Sequence, residues 1–147
     1  MKRFALFALL LPVALHAQPE EGYLPQVRAT PLLRTETTAA GQPIVYPKTN
    51  HPEVRALMVT IPPGAETGWH KHPYPCYAYL LSGELTVELK GGKSNRYKAG
   101  DAVVETVNLL HNGKNTGSEP VKLVLFVTGE KDQPFTVKAA SLARELK

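Results

Sequence analysis

Cysteine is almost missing from this chain: Cys76 is the only one among 147 residues. No intrachain disulfide can form, although an oxidising compartment would permit one. The fold must therefore rest on its own apolar core. Methionine and tryptophan are nearly as sparse, with two and one residues. No apolar run approaches the roughly 20 residues that cross a bilayer; the longest, Phe4–Leu15, holds 12. Clusters of basic residues interleaved with aromatics are also lacking, which argues against a nucleic-acid partner. The sequence carries no Walker loop, no dinucleotide-binding glycine loop, no nucleophile elbow and no His-Glu-x-x-His helix, so those common chemistries are excluded. Internal repeats and low-complexity tracts are absent too.

The first residues do have a pattern. Lys2 and Arg3 precede the apolar run, and Ala17 offers a small residue for cleavage before Gln18. That order predicts a secretory signal peptide over residues 1–17, and with it a periplasmic or secreted protein free of the membrane after cleavage. Cleavage would leave 130 residues with fifteen basic against thirteen acidic side chains. The basic balance of the whole chain, +4, thus belongs partly to the export segment. A domain of about 130 residues buries roughly two-thirds of its unfolded surface, enough for a core.

Residues 18–43 read as an N-terminal arm broken by Pro19, Pro25, Pro31 and Pro43, with short strands expected near Leu32–Thr38 and, just past it, Ile44–Tyr46. From residue 44 to 138 the chain reads as one domain of short β-rich runs separated by turn residues. Strands are expected at Val54–Ile61, Trp69–His72, Cys76–Leu81, Leu85–Leu89, Ser94–Lys98, Ala102–Val107 and Val121–Thr128, the last apolar enough to be central to a sheet. Only residues 139–147 read otherwise, as a short C-terminal helix or tail with Leu142 and Leu146 four apart. The fold class is all-β, a sandwich or barrel.

Histidine carries the chemistry. His70 and His72 are two apart in a β-type segment, so both imidazoles project from one face. Adjacent neutral imidazoles suit a metal better than an apolar core, and His111 is the candidate third ligand from a distant strand. Three histidines with open positions describe a catalytic site rather than a closed structural one.

The spacing around these residues resembles the two motifs of the cupin family. Gly64, His70, His72, Cys76 and Gly83 follow the first motif, and Gly100, Thr106, Asn108, His111 and Asn115 follow the second. Seven of the ten positions match, with 16 residues between the motifs, and the resemblance spans roughly residues 44–130. Thr106 and Asn108 stand where the family has Pro and Gly; Asn is the next-best residue for a positive φ. Cys76 stands where the family has the glutamate ligand.

The resemblance implies a double-stranded β-barrel of cupin or jelly-roll type. It also implies one divalent transition metal (Fe, Cu, Zn, Mn or Ni) on His70, His72 and His111. Cys76 is taken as the fourth ligand, as a thiolate favouring copper or zinc. It could instead be a small filler beside a three-histidine site of the kind that thiol and diketone dioxygenases of this family use. Three functions follow. The first is an oxygenase-like metal enzyme acting on a small organic substrate; the second is a non-catalytic periplasmic copper- or zinc-binding protein; the third is a ligand-binding or structural cupin with no essential metal. A homodimer paired through the arm is the expected assembly. Among the remaining residues, His51 is expected to be solvated, Tyr74 to line the pocket mouth, Tyr77 and Tyr79 to face away from the site, and Met58 to pack in the core. Glu66 is a candidate pocket acid, and none of Glu84, Glu88, Asp101 and Glu105 occupies the ligand slot.

Overall fold

The computed structural model describes residue 24 and residues 26–140. The expected signal peptide and nearly all of the expected C-terminal helix lie outside these residues. The chain divides into two units, Met1–Pro31 and Leu32–Lys147. In the described part of the first, the Val27 N–H donates to the Leu24 carbonyl at 2.8 Å, closing a turn.

The second unit carries nine strands among its described residues: β1 (Pro52–Ile61), β2 (His70–Lys71), β3 (Cys76–Ser82), β4 (Glu84–Leu89), β5 (Ser94–Lys98), β6 (Ala102–Val104), β7 (His111–Asn115), β8 (Val121–Glu130) and β9 (Val137–Lys138). They form two open antiparallel sheets, in the orders β1-β8-β3-β6 and β5-β4-β7-β2-β9, the jelly-roll arrangement expected. Alternation builds the core. Leu57, Val59 and Ile61 of β1 point the same way as Cys76, Ala78 and Leu80 of β3 and Leu123, Leu125 and Val127 of β8. β8 is central, as its composition predicts, paired with β1 from Val121↔Ile61 to Glu130↔Pro52 and with β3 on its other side. Each fully buried leucine here stabilises the fold by about 1.5–3 kcal/mol.

Several expectations shift. Met58 is 62% exposed, because β1 alternation turns Leu57 and Val59 inward and Met58 out. The strand expected at Ala102–Val107 stops at Val104, and the strand expected to carry His111 is β7, His111–Asn115, polar in sequence and buried. The arm forms a single isolated bridge, Thr37↔Pro43, in place of two strands, since proline cannot donate to a ladder. It docks instead through Gln42, whose side-chain amide donates to the Val107 carbonyl at 2.8 Å and accepts from the Val107 N–H at 3.1 Å.

The motif positions that do not touch the site are structural. Gly83 has φ 76, and a Cβ there would lie 2.9 Å from the Pro120 carbonyl oxygen and from Val121 Cα. Asn108 takes φ 55, the left-handed conformation expected of it. Buried Asn115 donates to the Ile61 and Glu119 carbonyls, each at 2.8 Å, and accepts from the Gly117 N–H at 3.0 Å. It ties the end of β7 to the end of β1 and to the turn into β8.

Candidate metal centre

β2 and β7 bring the histidines together. His70 pairs directly across the ladder with His111, which also pairs with Leu89 of β4. His72 lies one residue past β2, bridged in parallel to Val107. Period two places His70 and His72 on the cavity wall and leaves Lys71 off it. The ring centroids stand 4.4–5.0 Å apart. One ligand atom from each of the three lies within 4.8 Å of the other two. That span is wider than the ligand–ligand edge of a closed shell, about 2.8–3.6 Å for bonds of about 2.0–2.2 Å. Closing on an ion therefore requires small ring rotations.

All three Nδ1 atoms are held from behind. His70 Nδ1 donates to the Gly68 carbonyl at 2.7 Å, His72 Nδ1 to Phe135 at 2.8 Å and His111 Nδ1 to Leu109 at 2.9 Å. A threonine hydroxyl adds to each: Thr67 at 3.5 Å, Thr136 at 3.4 Å and Thr106 at 3.2 Å. Thr106, in the family's proline slot, thus touches a candidate ligand directly, a role the sequence reading did not give it. Carbonyls accept only, so each Nδ1 carries a proton, and Nε2 is the atom left to bind a metal once it is free of any proton of its own.

Glu105 faces these nitrogens, and sequence reasoning missed it. Its Oε2 lies 2.8 Å from His72 Nε2 and 3.5 Å from His111 Nε2. His111 Nε2 is buried without a hydrogen-bond partner. A buried carboxylate needs positive charge beside it, which a proton on His72 or a metal shared with His111 supplies. The donor set fits a divalent metal on this ground. Burial alone would raise the Glu105 carboxyl, but His111 and His72 hold it well below the usual carboxylate range. Burial would lower His72; Cys76 and Glu105 beside it carry it up to about 10. Burial also pushes the Cys76 thiol up, so it stays neutral at pH 7 and Glu105 is the charge that acts on His72. Burial, set against the Gly68 carbonyl, lowers His70.

Cys76 is fully buried and its Sγ donates to the Tyr74 carbonyl at 3.6 Å. Neither it nor Glu105 is within the tight cluster that the ligand atoms of His70, His72 and His111 form. Other candidates fall outside the cavity. Glu66 accepts from Asn112 Nδ2 at 3.0 Å and pairs with Lys114 at the surface. Tyr74 packs over Gly129 rather than at the cavity, with ring atoms 3.0–3.4 Å from where a Cβ would stand. His51 is exposed, and Tyr77 and Tyr79 leave the cavity wall to Ala78 and Leu80. The cavity holds about 160 Å³. Apart from the histidines, Glu105, three threonines and Tyr97, its wall is apolar, including Val59, Leu80, Leu123, Leu125 and Phe135, with no lysine or arginine. Phe135 stacks parallel to His72, 6.5 Å between centroids and 6° between planes.

Residues 57–128 match the cupin domain family. A search of curated protein sequences finds no match to this chain. Solved structures do match. Oxalate decarboxylase from Lactobacillus farciminis, in a formate complex, is 21% identical with a TM-score of 0.54, covering 63% of this chain and 28% of that one. The DMSP lyase DddQ from Ruegeria pomeroyi is 23% identical with a TM-score of 0.51, covering 58% and 43%. A Klebsiella pneumoniae protein with a double-stranded β-helix domain is 24% identical with a TM-score of 0.50, covering 65% and 84%. The chain thus spans only about a quarter to two-fifths of the length of the two named enzymes, and at these identities the likeness is one of fold. With the two motifs, the two-sheet fold and the converging histidines, these matches establish that the chain belongs to the cupin superfamily.

Proposed function

We propose that this is an exported cupin enzyme that holds one divalent transition metal on His70, His72 and His111 and acts on a small organic substrate by oxygenase-like chemistry. The observation that carries this reading is the convergence of three imidazoles at the wall of a largely apolar cavity of about 160 Å³. A metal bound there supplies Lewis acidity and, for iron, a one-electron couple. The chain's own groups do the rest. The carbonyls of Gly68, Phe135 and Leu109 fix the ring orientations, the aliphatic wall excludes water, and Glu105 keeps a negative charge beside the imidazoles. Beyond the histidines the wall has no lysine or arginine to pair a carboxylate, so the substrate class is a small, largely apolar molecule with at most one anionic group. The alternative, a copper or zinc carrier with Cys76 as thiolate ligand, is less favoured because Sγ donates to the Tyr74 carbonyl and lies outside the histidine cluster.

Export to the periplasm is part of the proposal and rests on the N-terminal pattern. A homodimer is too, supported by the outward-facing Val54, Met58 and Phe126 on one sheet, 47–65% exposed. The test is protein purified from its own host, assayed for bound metal and then for oxygen uptake with small thiols and β-dicarbonyl compounds. One transition metal per chain and substrate-dependent uptake are expected. Metal-free protein with no uptake after loading by any of the five metals would overturn the reading.

A further inference from the structure

We propose that Glu105 is the fourth metal ligand, taking from the neighbouring strand the place that Cys76 leaves without a carboxylate. The inference rests on the metal-binding reading above and adds to it a ligand from outside the two motifs.

Three observations converge on it. The first is register. Tyr77 pairs with Val104 across β3 and β6, and the Glu105 N–H donates to the Cys76 carbonyl at 2.9 Å. Cys76 and Glu105 are therefore cross-strand neighbours. With Tyr77 facing away from the cavity, both point inward. A carboxylate at 105 reaches the same space as a side chain at 76. The second is distance. Glu105 Oε2 stands 2.8 and 3.5 Å from two imidazole Nε2 atoms. These match the edge between adjacent ligands of one ion, about 2.8–3.6 Å for bonds of about 2.0–2.2 Å. The third is the state of the competitors. Cys76 Sγ donates to the Tyr74 carbonyl at 3.6 Å and touches His72 alone of the three histidines, whereas Glu105 Oε2 lies against both His72 and His111, whose Nε2 is buried and unpartnered. An ion shared by His111, His72, His70 and Glu105 satisfies that nitrogen and the carboxylate together. The resulting set of three imidazoles and one carboxylate selects against soft thiolate-seeking metals.

The full-length mature protein, loaded with Co(II) or Zn(II), tests this. X-ray absorption of the zinc form should show a first shell of nitrogen and oxygen without a sulfur at about 2.3 Å. Glu105→Gln should weaken Co(II) binding by about 100-fold, at the upper end of what loss of a supporting group costs, and should change the visible ligand-field spectrum. Cys76→Ser should leave affinity and spectrum unaltered. Glu105→Cys in a Cys76→Ser background should create a sulfur-to-cobalt charge-transfer band, which only a first-shell residue can do. A sulfur shell in the native sequence, or Glu105→Gln with native affinity and spectrum, overturns the inference while leaving metal binding intact. A native protein that binds neither metal overturns the metal reading itself.

Discussion

At the scale of single residues, protons and metal compete for the same Nε2 lone pairs. In the metal-free protein His72, pushed up to about 10, carries a proton against Glu105. A metal must displace it. Affinity should rise about tenfold per pH unit between pH 6.5 and 8.5, with about one proton released per ion. Calorimetry in buffers of different ionisation enthalpy measures both, and a flat profile would refute the pairing. Stability of the metal-free protein follows from the signs of the shifts. Depressed Glu105 contributes above its ordinary value near 4.5 and loses that contribution as pH falls. Raised His72 contributes fully below its ordinary 6.5 and loses that as pH rises toward 10. The metal-free melting temperature should therefore peak between about pH 4.5 and 6.5, and Glu105→Gln should flatten the alkaline fall. Cys76 gives a simpler expectation. At 0% exposure and raised by burial, it should resist thiol reagents in the folded protein and react only on denaturation. The histidines were legible in the sequence because spacing alone put two on one face. Glu105 was not, since its inward direction depends on the pairing of β3 with β6, and no local pattern shows which strand lies beside Cys76.

At the scale of elements, most strands could be read from apolar alternation and their turns from glycine and proline. β7 could not. Its residues are polar, yet Asn112 and Asn115 are buried because each is served by partners elsewhere in the chain. A polar strand buried by long-range hydrogen bonds leaves no hydrophobic period to detect. Asn115 is the clearest case. Asn115→Leu would leave the Ile61 and Glu119 carbonyls and the Gly117 N–H without their partner. The cost should be about 3 kcal/mol, read as a lowered urea midpoint with an unchanged slope, and a shift under about 1 kcal/mol would contradict the role given to it. Gln42 similarly accounts for the arm, whose latch onto Val107 replaces the strands that its prolines forbid.

At the scale of the whole molecule, the two-sheet fold was readable because turn signals and strand lengths recur along the chain, while the size and apolar character of the cavity were not, since they depend on how far the sheets stand apart. Leu125→Ala should enlarge that cavity at a cost of about 2–5 kcal/mol and should strengthen binding of small hydrocarbons more than binding of metal, measured by ligand-induced melting shifts. Export predicts a mature N-terminus at or near Gln18, and mass spectrometry of protein from its own host would show a full-length chain if that is wrong. The three orienting acceptors behind the histidines carry a consequence for evolution. They are main-chain oxygens of Gly68, Leu109 and Phe135, and a point mutation can replace a side chain but cannot delete a carbonyl. Neighbouring positions can therefore drift, and the cavity wall can be recut for new substrates, while the imidazole tautomers stay as they are. The metal chemistry is inherited through the path of the backbone, and selection is free to work on everything that surrounds it.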